Sequence, residues 1–277
     1  MFSNVLAWIR FLRLPAVLTV PGDIWVGAAV AGRSAHGREV GAVCLAYLFG
    51  MAFNDWWDRK KDSEHRPERP IPSGAVSASW GGVACVFLLV GSIIMLPEIS
   101  TVVLLVTIVA YTTLKSQIPL VGAVLMGLCR FQSVWIGAGA DQAESMLEWT
   151  VPLCAGVLIF LLTWLAQLEG TERKATIRSI FFACGLIVAA IAGMWMGGKQ
   201  GPTSWALLGT VAGVAIANHA AIEQKKVLPP SCIGIYLSMW IPLQAIWVLG
   251  AEQAAEGAFL IAAAIALPWL QQKISIS

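Results

Sequence analysis

Ten apolar stretches follow one another along this chain, at residues 14–31, 39–57, 77–96, 99–114, 119–139, 150–168, 177–196, 203–221, 232–249 and 254–270. A helix needs about 20 apolar residues to cross a bilayer, and inside the bilayer its backbone must satisfy its own hydrogen bonds. The pattern therefore predicts an all-α, polytopic transmembrane helical bundle. The segments of about 10 residues with alternating polarity that mark a membrane β-barrel are not seen. Of the 277 residues, 58% are apolar and 12% are charged. Soluble domains carry about 25% charged residues, so an ordinary soluble enzyme, a disordered chain and a nucleic-acid binder are excluded. No linker or low-complexity run divides the segments, and residues 1–277 read as a single integral membrane domain. Pro15, Pro21 and Asp23 interrupt the first stretch, so it reads as a genuine span rather than a cleavable signal. The six cysteines all fall in apolar stretches without a CxxC pair and read as small buried hydrophobes.

The connections between segments alternate in charge. Arg10, Arg13, Arg59, Lys60, Lys61, Arg66, Arg69, Lys115, Arg173, Lys174, Arg178, Lys225, Lys226 and Lys273 fall on one side, which is 14 of the 18 basic residues. Arg33, Arg38 and Lys199 lie on the other side with Glu39, Glu98, Asp141, Glu144, Glu148, Glu252 and Glu256, and Arg130 lies within a segment. The positive-inside rule places the first side, with both termini, in the cytoplasm.

On that side the second segment closes as Asn54-Asp55-Trp56-Trp57-Asp58-Arg59-Lys60-Lys61-Asp62. At 100° per residue Asp55, Asp58 and Asp62 fall within about 60° of one another on one helical face. Three carboxylates on one face repel, so a cation is expected among them. Short acids suit Mg²⁺, which takes one or two carboxylates together with substrate phosphate oxygens. A solvated helix end paired by its own neighbouring bases is the bland alternative. The long polar, proline-rich loop 58–76 follows, with Arg66 and Arg69 able to grip a polyphosphate by bidentate hydrogen bonds.

Tyr111 and Lys115 share a face at i, i+4 where the fourth segment ends. The pair reads either as an interfacial Tyr with a snorkelling Lys or as an aromatic face and a phosphate-neutralising charge. Glu169 and Glu172 at the end of the sixth segment could complete a metal site facing the first motif, or could be surface charges beside Arg173 and Lys174. Asp23 and Arg130 lie within spans. Charges there cost a few kcal/mol, so they read as an ion pair or as residues of an acceptor pocket. Trp56 and Trp57 could border an apolar substrate chain, while Asn218 and His219 read as structural.

These residues resemble the UbiA superfamily of intramembrane prenyltransferases. The Asn-Asp-x-x-Asp-x-x-x-Asp run at 54–62 matches that family's first signature, Arg66 and Arg69-Pro-Ile-Pro-Ser-Gly74 its continuation, and Tyr111-x-x-x-Lys115 its tyrosine–lysine motif. Within the family, Asp23, Glu64-His65-Arg66-Pro67-Glu68-Arg69-Pro70 and Met126-Gly-Leu-Cys-Arg130 look most like the EboC-like branch. There are two departures. The family's second motif has three aspartates, whereas here Glu169 and Glu172 remain with Thr176 in the third place. The family core is nine helices, one fewer than the segments counted here.

The resemblance implies Mg²⁺-dependent transfer of a prenyl group from an allylic prenyl diphosphate to a small, aromatic or otherwise electron-rich acceptor within the membrane. It implies Mg²⁺ held by Asp55, Asp58, Asp62, Glu169 and Glu172. Asn54, Arg66, Arg69, Lys115, Arg130 and Asp23 would be substrate-binding, and Tyr111, Lys115 and Asp58 catalytic. Two other activities stay open on such a scaffold, cyclisation of the prenyl cation and carriage of a lipid or metabolite without chemistry.

Overall fold

The computed structural model of the protein describes residues 2–139, 146–168, 174–196, 201–225, 230–250 and 253–276. Among the described residues there is helix and no strand. The amphipathic helix α1 (Phe2–Leu12) stops at Arg13, and a short 3₁₀ turn (Leu14–Thr19) leads into α2 (Pro21–Val30). Prolines open both of the latter elements, where the missing N–H costs nothing. The chain bends by 42° between Val5–Leu12 and Leu14–Val30. The break falls on Arg13, whose φ of 48° and ψ of 44° make it the one non-glycine residue with positive φ among the described residues.

Helix α3 (Gly37–Trp57) starts with a reciprocal cap between His36 and Glu39 and ends at Asp58, which also heads the short α4 (Arg59–His65). The loop expected over 58–76 is thus partly helical. Helix α5 (Ala78–Met95) is capped by Ser77, whose hydroxyl accepts from the Trp80 amide at 3.3 Å. Then come α6 (Ile99–Leu114), α7 (Pro119–Ala138), α8 (Met146–Ala166), α9 (Lys174–Met196), α10 (Pro202–Lys225), α11 (Pro230–Ser238), α12 (Trp240–Gly250) and α13 (Ala254–Ile276).

Each of the ten apolar stretches coincides with helix. Among the described residues five helices are long and apolar enough to span a membrane, or six if the bent pair at the N-terminus is one span. Ile99–Leu114, Ile177–Gly193 and Ala254–Leu267 are apolar but shorter. Helix α3 carries Arg38, Glu39, Asn54 and Asp55 at its ends, which dilutes its apolar run. The stretch at 232–249 breaks at Met239 into α11 and α12.

Two hydrophobic clusters hold the bundle. One joins Ala7 and Phe11 of α1 with α3, α5 and α6, and the other is built from α8 to α13. Helices α2 and α7 contribute to both, through Ile24 and Ile136 to the first and Val26 and Val134 to the second. They approach closely because glycines face one another. A Cβ at Gly27 would lie 2.1 Å from the Val134 carbonyl, and one at Gly137 2.4 Å from that of Ile24. Small residues allow such backbone approach in membranes. Arg33 fastens the same region, donating to the carbonyls of Ile136 (3.1 Å) and Gly137 (2.5 Å) and pairing with Glu39 at 3.1 Å. Helix α5 is at the periphery, with Trp80, Val83, Val86, Phe87 and Ile94 exposed as lipid-facing side chains are.

Candidate active site

The acid motif sits where α3 gives way to α4, at the end of the bundle opposite Arg33. One oxygen of Asp55 accepts from Arg13 Nη2 at 2.9 Å, Arg69 Nη1 at 3.2 Å and Asn54 Nδ2 at 3.5 Å. The same Arg69 nitrogen donates to Asp62 Oδ2 at 2.7 Å. Lys115, from the end of α6, donates to Asp58 Oδ2 at 2.7 Å and to Asn54 Oδ1. Three carboxylates thus meet three cations, each delivered by a different part of the chain. Asp55 and Asp62 are buried, with side chains 7% and 9% exposed, while Asp58 and Lys115 are at 22% and 19%.

The cation expected among the acids is therefore supplied by the protein itself. No group of three or more His, Cys, Asp or Glu is disposed as a metal cluster among the described residues, because each carboxylate is turned onto a basic side chain. Glu169 and Glu172, expected to complete the metal set, lie outside the described residues. Arg66, expected beside Arg69, is exposed at the end of α4, and its side chain makes no hydrogen bond or ion pair among the described residues.

The donor set nonetheless fits a hard divalent cation. Two carboxylates close on a single cationic atom, Arg69 Nη1, which marks a point where acidic oxygens converge. The cluster is also balanced, three negative side chains against three positive. A polyanionic ligand entering it needs additional positive charge, which a divalent cation would bring.

Below the cluster lies a cavity of about 70 Å³ between α2, α3, α6 and α7. Tyr111 borders it, its ring 5.6 Å from Lys115 Nζ. Tyr47, Met51, Leu104, Ile108 and Met126 line its apolar sides. Tyr47, Met51, Asn54 and Asp58 fall on one face of α3, so the cavity lies directly beneath the acids. Asp23 and Arg130 form its deeper polar wall. Asp23 is fully buried; Oδ2 accepts from Arg130 Nη1 at 2.5 Å, while Oδ1 accepts from Gln244 at 2.7 Å and Trp240 at 3.1 Å. The Arg130 guanidinium lies 5.0 Å from the centre of the Trp240 ring. The two alternatives for Asp23 and Arg130 coincide in the structure, as they are an ion pair and they line a pocket.

Trp56 and Trp57 do not reach this cavity. Trp56 donates to the Ala78 carbonyl at 2.9 Å and packs toward α5, and Trp57 is 48% exposed. Asn218 donates to the Cys232 carbonyl at 2.9 Å and His219 Nδ1 is 2.7 Å from Ser179, bracing α10 against α11 and α9.

Sequence reasoning missed Arg13, Tyr47, Trp240 and Gln244. Gln244 was recoverable as the lone polar side chain amid the apolar Trp240–Gly250 helix. Arg13 looked like one of many flanking bases, and nothing local tells that its backbone is left-handed.

An acid-and-cation cluster over a largely apolar cavity, at one end of a bundle of lipid-facing helices, is the architecture of an intramembrane enzyme. The chain belongs to the UbiA prenyltransferase family, whose model matches residues 21–227. It is a prenyltransferase of integral-membrane type.

Among its relatives is digeranylgeranylglyceryl phosphate synthase of Natronomonas pharaonis, 28% identical over 211 residues, which are 68% of this chain and 76% of that one. The enzyme of the same name from Haloquadratum walsbyi is 34% identical over 130 residues, 45% of this chain and 46% of its own. Among solved structures, a UbiA homologue from Aeropyrum pernix K1 superposes with a TM-score of 0.66 at 17% identity, covering 84% of this chain and 97% of that one. A UbiA homologue from Archaeoglobus fulgidus bound to GPP and Mg²⁺ gives 0.54 at 12% identity, covering 89% and 98%. At these identities the structures establish the shared fold.

Proposed function

We propose that the protein transfers a prenyl group from an allylic prenyl diphosphate to the hydroxyl of a glycerophosphate-type lipid. The convergence of Asp55 and Asp62 on one cationic atom, with Lys115 spanning Asn54 and Asp58 above the cavity, carries this reading. The names of the relatives point to a glyceryl phosphate acceptor, and nothing in the cavity favours the aromatic acceptor expected from the sequence. Two features support a cytoplasmic location for the site. The exposed Lys61 and Arg66 flank it, and most of the basic residues of the connections are on its side. The chain acts as one domain, since residues from the N-terminal hinge, α2, α3, α6, α7 and α12 build one site.

Asp55, Asp58 and Asp62 would hold Mg²⁺, together with Glu169 and Glu172. The ion, when bound, supplies Lewis-acid charge to the departing diphosphate. The chain's own part is positional and electrostatic. Arg69, Lys115 and Arg13 leave their carboxylates for the diphosphate oxygens, where charge-assisted hydrogen bonds hold the head at the mouth of the cavity. Arg66 reaches the same head from solvent. The C1–O bond then breaks with both electrons on the diphosphate, leaving an allylic cation. The Tyr111 ring, which borders the cavity, would stabilise that cation through its face. Met51, Leu104, Ile108 and Met126 exclude the water that would trap it. The acceptor oxygen attacks C1, and its proton leaves with the diphosphate.

Pyrophosphate release by the purified protein in lipid tests this. The donors are dimethylallyl, geranyl and geranylgeranyl diphosphate, each with a glyceryl phosphate lipid, with a pool of aromatic acceptors or with none. Release that requires Mg²⁺ and the glyceryl phosphate lipid, and is lost in Asp58→Asn, is expected. Release with no acceptor would instead mean cyclisation or hydrolysis, and binding without release would mean a carrier.

A further inference from the structure

Arg130 is poorly explained as one half of a structural ion pair. Asp23 spends both of its oxygens, one on Arg130 and the other on Trp240 and Gln244. Arg130 spends one nitrogen of three. A guanidinium paired with a carboxylate frequently presents its fork and makes two parallel bonds. Here a single Nη1 contact is made, and Nη2 and Nε have no partner among the described residues. Nor are those atoms sealed. They are absent from the buried unpartnered atoms, which include Gln244 Oε1 and Gln132 Oε1, and the Arg130 side chain retains 11% exposure. The open volume beside Arg130 is the cavity it lines with Tyr47, Tyr111 and Ser133.

The rest of the site fixes this guanidinium in place. Asp23 from α2 holds one edge, the Trp240 ring lies 5.0 Å from its centre, and Gln244 locks Asp23. Two neighbouring helices, α2 and α12, thus orient one cation of α7 whose remaining donors border a cavity. Placing charges within a span is costly, and a burden of this kind marks substrate recognition more often than stability. A water needs about 10–15 Å³ of such volume. The cavity's 70 Å³ therefore leaves room for a small polar head beside Arg130.

We propose that Arg130 binds the acidic head group of the acceptor, a phosphate or a carboxylate, and so selects anionic over neutral acceptors. Asp23, Trp240 and Gln244 are positioning residues for it. This deepens the function proposed above and rests on it. It separates two anion subsites: Arg69, Lys115 and Arg13 at the mouth of the cavity for the prenyl diphosphate, and Arg130 deeper for the acceptor.

The test is equilibrium binding of short-chain glyceryl ethers to the protein in nanodiscs, with turnover measured in parallel. Three ethers differ in the head alone, as phosphate, carboxylate or hydroxyl. The variants are Arg130→Gln and the double Asp23→Asn/Arg130→Gln. The double variant removes both charges and leaves neither buried alone. Its two introduced amides can bond to each other, and the one on α2 can still accept from Trp240 and Gln244, so the double variant is expected to fold.

The wild type is expected to bind one or both acidic ethers about tenfold or more tighter than the hydroxyl ether. Preference for one acid over the other tells phosphate from carboxylate. The double variant should lose that preference while its melting temperature and its KM for geranyl diphosphate stay near wild type. A double variant that still prefers the acidic heads, or a wild type that does not distinguish the three, would overturn the proposal. Failure to consume any prenyl diphosphate would instead count against the prenyl-transfer reading, and the binding comparison would still decide the role of Arg130.

Discussion

Lys115 Nζ lies 2.7 Å from Asp58 Oδ2, although the two residues are 57 positions apart. The bond ties the end of α6 to the junction of α3 and α4 and sets the distance between the acid motif and Tyr111. Both side chains keep about a fifth of their surface open, so the pair adds little to stability once solvent screening is counted. Lys115→Met is therefore expected to leave the melting temperature almost unchanged. Pyrophosphate release should fall by about 10²–10³, the usual loss on removing one charge-stabilising donor. A drop of less than about fivefold in kcat/KM would place Lys115 outside the reaction.

Arg69 presents the opposite case. Its removal leaves Asp55 and Asp62, both under 10% exposed, facing each other without the cation between them. Arg69→Gln should lose about 3 kcal/mol of stability in chelator, the penalty for a buried charge left unpaired. Added Mg²⁺ should restore much of that loss and should bind the variant more tightly than the wild type in the absence of diphosphate. Thermal unfolding across a Mg²⁺ titration would show it, and a variant insensitive to the metal would remove Asp55 and Asp62 from the metal site.

Arg13 gives a prediction of unusual sign. A left-handed backbone costs a non-glycine residue about 1–2 kcal/mol. Its side chain is 41% exposed, so its ion pair with Asp55 returns little. Arg13→Gly should thus raise the melting temperature slightly while raising KM for the prenyl diphosphate severalfold. A glycine variant of lower stability and unchanged KM would show that Arg13 is an anchor for α1 and nothing more.

The close crossing of α2 and α7 has no room to spare. In Gly137→Val the added carbons meet the backbone of Ile24, 2.4 Å from its carbonyl, which no side-chain rotation relieves. A loss of about 1–3 kcal/mol or more is expected, and the displaced helices should pull Asp23 away from Arg130. Unfolding in detergent, beside a lipid-facing control such as Val86→Ala, would measure it.

The bundle was legible because the bilayer imposes one period and one length on every span, and all ten apolar stretches became helix. The acid motif was legible for a similar reason, since like charges brought together by helical spacing demand a partner. The identity of the partner was hidden. Arg69 is 14 residues from Asp55 and Arg13 is 42, and separations of that kind carry no local signal. Arg130 announced itself as a charge inside a span. That its fork is half used depends on Gln244, 221 residues from Asp23. The break at Met239 was legible in Pro242, which cannot donate to the Ser238 carbonyl four residues back, and the break after Arg13 in Pro15; what stayed hidden is the left-handed backbone of Arg13 itself.

The balance of three acids against three bases makes the site a coincidence detector. A divalent ion arriving alone must evict protein cations from the carboxylates. A diphosphate arriving alone must draw those cations away and leave the acids bare beside it. When the two arrive together, acids pass to metal and bases to phosphate, and no charge is stranded. Free phosphate and stray metal each offer half of that exchange, so each alone is expected to bind the resting site more weakly than the two together.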